Sequence, residues 1–357
     1  MSLTIGPRLL DVTKTHNLFR FTPEHYQFVG ENRREIESIL AGRDKRLLMI
    51  AGPCSMGPDI PGENNPLDAD YKYADRLAHL QEKVQEQIKL VMRCYTQKPR
   101  TTVGWKGLIY QPNPLEPVNM RKGTWTCAKV MHRLSQQVPL ADEMLNVSNA
   151  DVFDPFLSWV AVGARSGEDQ PHREVVSGKD IPVGLKNPTS GDITIGVNNV
   201  IAAQHSHVYP LDGYQVTSSG NPYAHLVLRG GTNRSNYGAR SVGLATRLMQ
   251  EKKVQNPAII VDASHANSQG MNGKNPRLQD GVVAAVMNGI KCGAEEYQFV
   301  RGFMLESHLL EGNQSDKGNQ SNKGPSFQPG LSITDPCRGW EGTERLIREL
   351  AEMNAGR

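Results

Sequence analysis

Residues 88–108 read IKLVMRCYTQKPRTTVGWKGL. They open with Ile88, Leu90, Val91 and Met92, an apolar run with the length and texture of a buried parallel strand. The run stops on a charge, Arg93, and gives way to a loop carrying Lys98, Arg100, Thr101, Thr102 and Lys106. Cations and hydroxyls gathered past the end of one strand suit a phosphate-bearing ligand, because guanidinium groups grip phosphate oxygens two at a time. Alone, such a loop reads more readily as a solvated basic surface. What decides the reading is that the same grammar recurs along the chain.

Working outward, apolar runs of strand length lie at Arg46–Cys54, Ile88–Arg93, Pro139–Leu145, Trp159–Arg165, Ile181–Asn187, Ala224–Gly231, Ala258–His265 and Phe299–Ser307. Each carries a charged or metal-capable side chain at or near its end: Cys54, Arg93, Glu143, Arg165, Lys186, Arg229, His265 and Glu306. Between them run helical patterns. Glu31–Leu40 has Ile36, Ile39 and Leu40 on one face and closes at Gly42; Ala69–Gln87 has Tyr73, Leu77, Leu80 and Val84; a third covers residues 121–137. Strands alternating with helices imply a parallel sheet, and eight such units predict a closed (β/α)8 TIM barrel, an α/β fold. In that fold the carboxyl ends of the strands share one mouth, where the chemistry sits. Residues 1–30 read as an N-terminal arm with Phe19, Phe21, Tyr26 and Phe28 as anchors, and 31–357 as a single barrel domain. Two segments break the rhythm: His205–Gly220 predicts an extra β-hairpin, and Gln314–Gly330 a polar loop that leads to Asp335.

A chain of 357 residues with a net charge of +3 has local basic clusters and no polyanion-binding tail, which argues against a nucleic-acid partner. No apolar run approaches membrane-spanning length, and MSLTIGPRLLDVTK lacks the apolar core of a secretion signal. The five cysteines are scattered without a CxxC pair, as expected of reduced thiols in a cytoplasmic protein.

The predicted mouth holds two kinds of group. Cys54, His265, Glu306 and Asp335 offer a thiolate, an imidazole and two carboxylates, a set suited to one borderline divalent ion such as Mn²⁺, Fe²⁺, Co²⁺ or Zn²⁺. Arg93, Lys98, Arg100, Lys106, Arg165, Lys186 and Arg229 supply more positive charge than one phosphate calls for, so two anionic substrates, or one with a phosphate and a carboxylate, fit better. Lys186 at a strand end also allows a Schiff base, which a metal with an anion clamp makes unnecessary. His205-Ser206-His207 reads as an HxH metal pair only by type, since it precedes a hairpin; no GxSxG elbow is present.

The ordered motifs Ala51-Gly-Pro-Cys-Ser55, Lys98-Pro-Arg-Thr-Thr-Val-Gly-Trp-Lys-Gly-Leu108, Gly163-Ala-Arg165, Pro182-Val-Gly-Leu-Lys-Asn187, Leu228-Arg-Gly-Gly231, Asp262-Ala-Ser-His-Ala-Asn267, Glu306-Ser307 and Ser332-Ile-Thr-Asp335 resemble the type I 3-deoxy-D-arabino-heptulosonate 7-phosphate (DAHP) synthases, in particular the microbial feedback-regulated branch. The resemblance runs from about Glu31 to the C-terminus. It implies a transferase, 3-deoxy-7-phosphoheptulonate synthase, that condenses phosphoenolpyruvate with erythrose 4-phosphate and releases phosphate, at the first step of the shikimate pathway. It implies metal ligands at Cys54, His265, Glu306 and Asp335. The phosphoenolpyruvate clamp would fall on Arg93, Lys98, Glu143, Gly163, Ala164, Arg165, Lys186 and Arg229, and the aldose-phosphate contacts on Lys98, Pro99, Arg100 and Thr101. Lys98, Cys54 and His265 would be the catalytic set, with Lys98 the candidate proton donor to the new alkoxide and a metal-bound water its competitor. A homo-oligomer, dimer or tetramer, is expected. Two alternatives stay open: a related synthase using another aldose phosphate, such as the octulosonate 8-phosphate type, and a silent binding paralog. Ala150-Asp151 and Asp180 depart from the Pro-Gln and small polar residue typical of the family's regulatory pocket, so inhibition by phenylalanine or tyrosine is not expected.

Overall fold

A computed structural model of the chain describes residues 3–9, 11–100, 104–232, 234–271, 273–315, 317–318 and 326–356. The eight apolar runs are eight parallel strands: β1 (Leu47–Gly52), β2 (Ile88–Arg93), β3 (Leu140–Met144), β4 (Leu157–Val162), β5 (Val183–Lys186), and, after a hairpin of β6 (Val208–Leu211) and β7 (Tyr214–Thr217), β8 (His225–Leu228), β9 (Ile259–Asp262) and, beyond the short β10 (Gln269–Gly270) and β11 (Gly273–Lys274), β12 (Val300–Glu306). They close on themselves in the order β1-β2-β3-β4-β5-β8-β9-β12, with β12 pairing back onto β1. This is the (β/α)8 barrel, and the expected hairpin is β6 against β7 in antiparallel register.

Helices α3 (Pro66–Val84), α4 (Met120–Leu134), α5 (Gln170–Ser177), α6 (Ile193–Gln204), α7 (Ala239–Glu251), α8 (Leu278–Lys291) and α9 (Trp340–Ala355) follow the strands. Strand side chains alternate. Leu47, Met49, Leu90, Met92, Leu226 and Phe303 join the layer under the helices, while Leu48, Ile50, Val91, Trp159, Val227, Ile260 and Met304 fill the barrel interior. Trp159 needs a glycine opposite: a Cβ on Gly184 would lie 2.2 Å from its ring.

The helix expected at Glu31–Leu40 begins earlier. α2 spans Pro23–Leu40, with Thr22 accepting from His25 N and Pro23 in the first turn, so it runs through the boundary drawn between arm and barrel at residue 30. Its last turns send Ile36, Ile39 and Leu40 into the interior cluster, where they plug the lower end of the barrel. Each such fully buried side chain contributes about 1.5–3 kcal/mol. Before it, α1 (Val12–Leu18) leads into Phe19 and Phe21, which pack on Phe156 at centroid distances of 6.1 and 5.1 Å. Tyr26, expected as an anchor, stacks on Phe21 but keeps 47% of its surface exposed. Its helical position places it on the outer face.

Candidate active site

Strand parity builds the mouth. Along β2 the side chains that alternate with Leu90 and Met92 are Lys89, Val91 and Arg93; Val91 lies in the interior cluster, so the last of the three reaches the upper end. The same parity on β3, β5, β9 and β12 brings Glu143, Lys186, Asp262 and Glu306 to that level. Arg93, Glu143, Lys186, Asp262 and Glu306 are all buried. Arg93 donates to Glu306 Oε1 at 3.2 Å and to Pro53 O at 3.3 Å, and its guanidinium lies 4.1 Å above the Tyr95 ring. Lys186 sits 3.2 Å from Glu143 Oε1 and 5.3 Å from the same ring.

On one side of the mouth, ligand atoms of Cys54, Glu306 and Asp335 lie within 4.8 Å of one another. His265 is held beside them in a left-handed conformation, φ +54°, with Nδ1 2.9 Å from Asp262 and 2.8 Å from Ser264 Oγ. That leaves Nε2 facing Glu306 at 3.6 Å, an orientation that a carboxylate behind an imidazole gives a metal ligand. Burial raises the Glu306 carboxyl, but His265, Lys274, Arg93 and Lys98 outweigh it and hold Glu306 well below the usual carboxylate range. Burial and the Glu306 charge push the Cys54 thiol up against the opposing pull of Lys98. Burial lowers Lys98, yet Cys54, Glu306 and Glu143 more than restore it.

The donor set fits a divalent cation, and the cluster already gathers cations. The Lys98 ammonium lies 2.9 Å from Cys54 Sγ, and that of Lys274 pairs with Asp335. The loops bearing the two ends of the triad are tied to each other. Ser55 Oγ lies 3.0 Å from Thr334 Oγ1, and Cys54 N donates to Cys337 Sγ at 3.3 Å.

Above this floor a cavity of about 450 Å³ is lined by Lys98, Pro99, Arg100, Glu143, Gly163, Ala164, Arg165, Lys186 and Arg229, together with His265 and Asp335. Gly163 is there because of close approach: a Cβ would lie 2.9 Å from Glu143 Oε1. Asp142, whose carboxyl burial pushes up to about 7, accepts from Thr96 N and Oγ1 and from Glu143 N. It thereby ties the loop of Lys98 to the strand of Glu143. Two buried guanidinium nitrogens, Arg93 Nη1 and Arg229 Nε, have no hydrogen-bond partner among the described residues, as expected of donors aimed at an anion.

Of the expected site residues, all but two have a place in or directly beneath this mouth; Thr101 lies outside the described residues, and Lys106 stands apart. Lys106 is exposed, with its ammonium 5.6 Å over Tyr110, and serves the loop through Lys98 N→Lys106 O at 2.9 Å. His205 and His207 bond Ile201 O and Ala202 O at the end of α6 and form no metal pair. Charge ends each strand region as read, but the strands themselves stop two or three residues short of Cys54, Arg165 and His265.

Three members of the site escaped the sequence reading: Lys274, Asp262 and Tyr95. Lys274 lies in a polar stretch with no period, whereas Asp262, at an inward strand end, followed the same rule as Glu306. A cavity of about 490 Å³ between the arm and α4, lined by Arg8, Leu9, Leu18 and Trp125 among others, holds none of these groups.

Comparison with known proteins agrees with this geometry. Residues 23–348 match the DAHP synthetase I family. The chain is 39% identical over 336 residues to the Trp-sensitive phospho-2-dehydro-3-deoxyheptonate aldolase of Shigella flexneri, covering 92% of this chain and 90% of that one. It is 36% identical over 328 residues to the Tyr-sensitive enzyme of Escherichia coli K12, covering 90% and 86%. The structure of phospho-2-dehydro-3-deoxyheptonate aldolase from Francisella tularensis SCHU S4 superposes with a TM-score of 0.88 at 30% identity, over 99% of each chain. A barrel of this topology, a mouth of this composition and relatives matched nearly end to end converge on one assignment: the chain belongs to the DAHP synthetase I family.

Proposed function

We propose that the two sides of this mouth divide the work of the family's reaction, in which phosphoenolpyruvate, erythrose 4-phosphate and water give DAHP and inorganic phosphate at the first step of aromatic amino acid biosynthesis. The observation that carries the proposal is the juxtaposition itself: a thiol-carboxylate triad stands beside Arg93, Lys186 and Arg229 at one barrel mouth.

Arg93, Arg165, Lys186 and Arg229 hold the phosphate and carboxylate of the enol ester and fix its orientation before reaction. Glu143, bonded to Lys186, keeps that ammonium aimed into the cavity. Lys98, Pro99, Arg100 and Thr101 take the aldose phosphate. Cys54, His265, Glu306 and Asp335 would hold one divalent ion, which supplies Lewis acidity toward the aldehyde oxygen when bound. The terminal enol carbon forms the new C–C bond at the aldehyde carbon, and Lys98 gives its proton to the developing alkoxide. Positive charge appears at the carbon bearing the phosphate; water adds there and gives up one proton, which restores the one Lys98 spent. The C–O bond then breaks with its pair on phosphate, while the added hydroxyl passes its remaining proton to the departing phosphate and becomes the ketone oxygen. The buried cations beside that phosphate favour its leaving.

Phosphate release from phosphoenolpyruvate with erythrose 4-phosphate or arabinose 5-phosphate, with and without chelator, tests the reading. Erythrose 4-phosphate should support release that chelator abolishes, and Cys54→Ala should be inactive, metal-poor by elemental analysis and still folded. Release with arabinose 5-phosphate alone, or full activity of chelated Cys54→Ala, would overturn it.

Two further expectations are part of this reading. The chain acts as a cytoplasmic homo-oligomer in which the N-terminal arm packs on the barrel or on a second copy; among the described residues no helix is long and apolar enough to cross a membrane. It also resists phenylalanine and tyrosine. Support comes from Lys179, whose ammonium is already bonded to Asp151 at 3.0 Å and to Asp154 at 2.6 Å, beside Asp180.

A further inference from the structure

Lys274 has no part in the reaction as drawn, yet its ammonium lines the mouth and pairs with Asp335. It is delivered there by the two-residue ladder of β10 and β11, in which Gln269 faces Lys274 and Gly270 faces Gly273. The pair is partly open, with side-chain exposures of 27% and 41%. Its position is awkward for a simple prop, because Asp335 belongs to the thiol-carboxylate triad. A divalent cation seated on the triad would stand within a few ångströms of this ammonium, where like charges repel strongly once water is excluded.

We propose that Lys274 is a tethered counter-ion of the triad, which a divalent cation displaces from Asp335 into the mouth. The inference rests on the metal reading above. As the side chains stand, Lys98 covers Cys54 and Lys274 covers Asp335, so the cluster, buried at Cys54 and Glu306 and half-buried at Asp335, is met by an ammonium on each side. When the cation arrives, Lys98 can remain useful on the substrate side, but Lys274 must give up its carboxylate. The ammonium then turns into a cavity already lined by Arg165, Lys186 and Arg229, and adds to the charge that meets an incoming phosphate. Cation and anion binding are thereby coupled, and by linkage each strengthens the other.

The test is a calorimetric titration of Mn²⁺ into chelator-stripped full-length enzyme, with and without inorganic phosphate. Lys274→Met removes the competitor and should bind Mn²⁺ about five- to tenfold more tightly than the native chain, while Lys274→Arg should stay within about threefold of it. Phosphate should improve Mn²⁺ affinity more in the native chain than in Lys274→Met. Equal or weaker Mn²⁺ binding by Lys274→Met, or equal phosphate coupling in the two proteins, would overturn the proposal. If thermal melting shows Lys274→Met to be damaged, Lys274→Gln is titrated in its place under the same criteria. Asp335→Asn serves as the separating control. Undiminished Mn²⁺ binding by that variant would sink the metal site itself, whereas weakened binding beside an unchanged Lys274→Met sinks only the counter-ion.

Discussion

Lys89 and Arg93 lie on the same strand, β2, point to the same inward side and are both buried, yet they meet opposite surroundings. At the lower end Lys89 pairs with Glu35 at 3.1 Å; Glu35 also takes Arg46 at 2.8 Å, and Arg46 takes Asp44 at 2.7 Å. Cations and carboxylates balance there, above a plug of Ile36, Ile39 and Leu40. At the upper end Arg93 shares Glu306 with His265, and its Nη1 has no partner among the described residues. Around it Lys98, Arg165, Lys186, Arg229 and Lys274 outnumber the carboxylates Glu143, Asp262, Glu306 and Asp335. A balanced network suits a role in the fold, and a buried guanidinium nitrogen left without a partner suits one toward an anion. Four residues of one strand separate the two regimes.

The largest effect should follow from breaking the upper network. Arg93→Met is expected to lower kcat/KM by about a thousandfold, the scale of losing a preorganised charge that faces the reacting groups. Steady-state kinetics checks this, and a loss under tenfold would place Arg93 with Lys89 as a structural charge.

The lower end should respond to acid instead. His25, at the start of α2, is buried against Phe21 and His132 and bonded to Ser135 Oγ at 2.8 Å; burial, helped by the His132 charge, pushes it down to about 4. The folded chain therefore favours the neutral ring, while the unfolded chain protonates near 6.5. The stabilisation is fully present above pH 6.5 and is lost as pH falls from there toward 4. Between pH 7 and pH 5 the loss should reach about 2 kcal/mol. Denaturant titrations at both pH values measure it. His25→Phe, which cannot protonate, should flatten that dependence, and an unchanged slope would remove His25 as its source.

How much of this the sequence discloses follows from the same division. Barrel and mouth are legible because parity and strand position are local: an apolar run that ends on Arg93, Lys186 or Glu306 announces both the strand and the direction of its last side chain. Strand ends are less so, since hydrophobicity continues into Gly163-Ala164 after pairing has stopped at Val162. Lys274 is invisible for a deeper reason. It reaches Asp335 only because a two-residue ladder turns a polar stretch back over the mouth, and no periodicity marks that turn. The early start of α2, by contrast, was written in the chain. Thr22-Pro23-Glu24 is a cap, a first-turn proline and an N-terminal acid in succession, masked by the lack of an apolar stripe before Val29.

Smaller effects sharpen the contrast further. Arg165 stands on the exposed rim of the mouth, so Arg165→Ala should raise the phosphoenolpyruvate KM about tenfold, the worth of one charge-assisted contact, with little change in kcat. The weakened binding should also fall less steeply with added salt than in the native enzyme, because one screened attraction has gone. An unchanged KM would remove Arg165 from the clamp. Lys89→Met should do least. Its partner Glu35 keeps 39% side-chain exposure and retains Arg46, so the carboxylate left behind is neither dry nor unpaired. The methionine fills much of the same inward space, and the cost should be about 0.5–1 kcal/mol in unfolding free energy. Catalysis should stay within about twofold of native, since no group of the upper network touches Lys89. A Lys89→Met enzyme that folds normally but loses activity on the scale of Arg93→Met would mean that the two ends of β2 are electrostatically continuous, and the division drawn between them would fail.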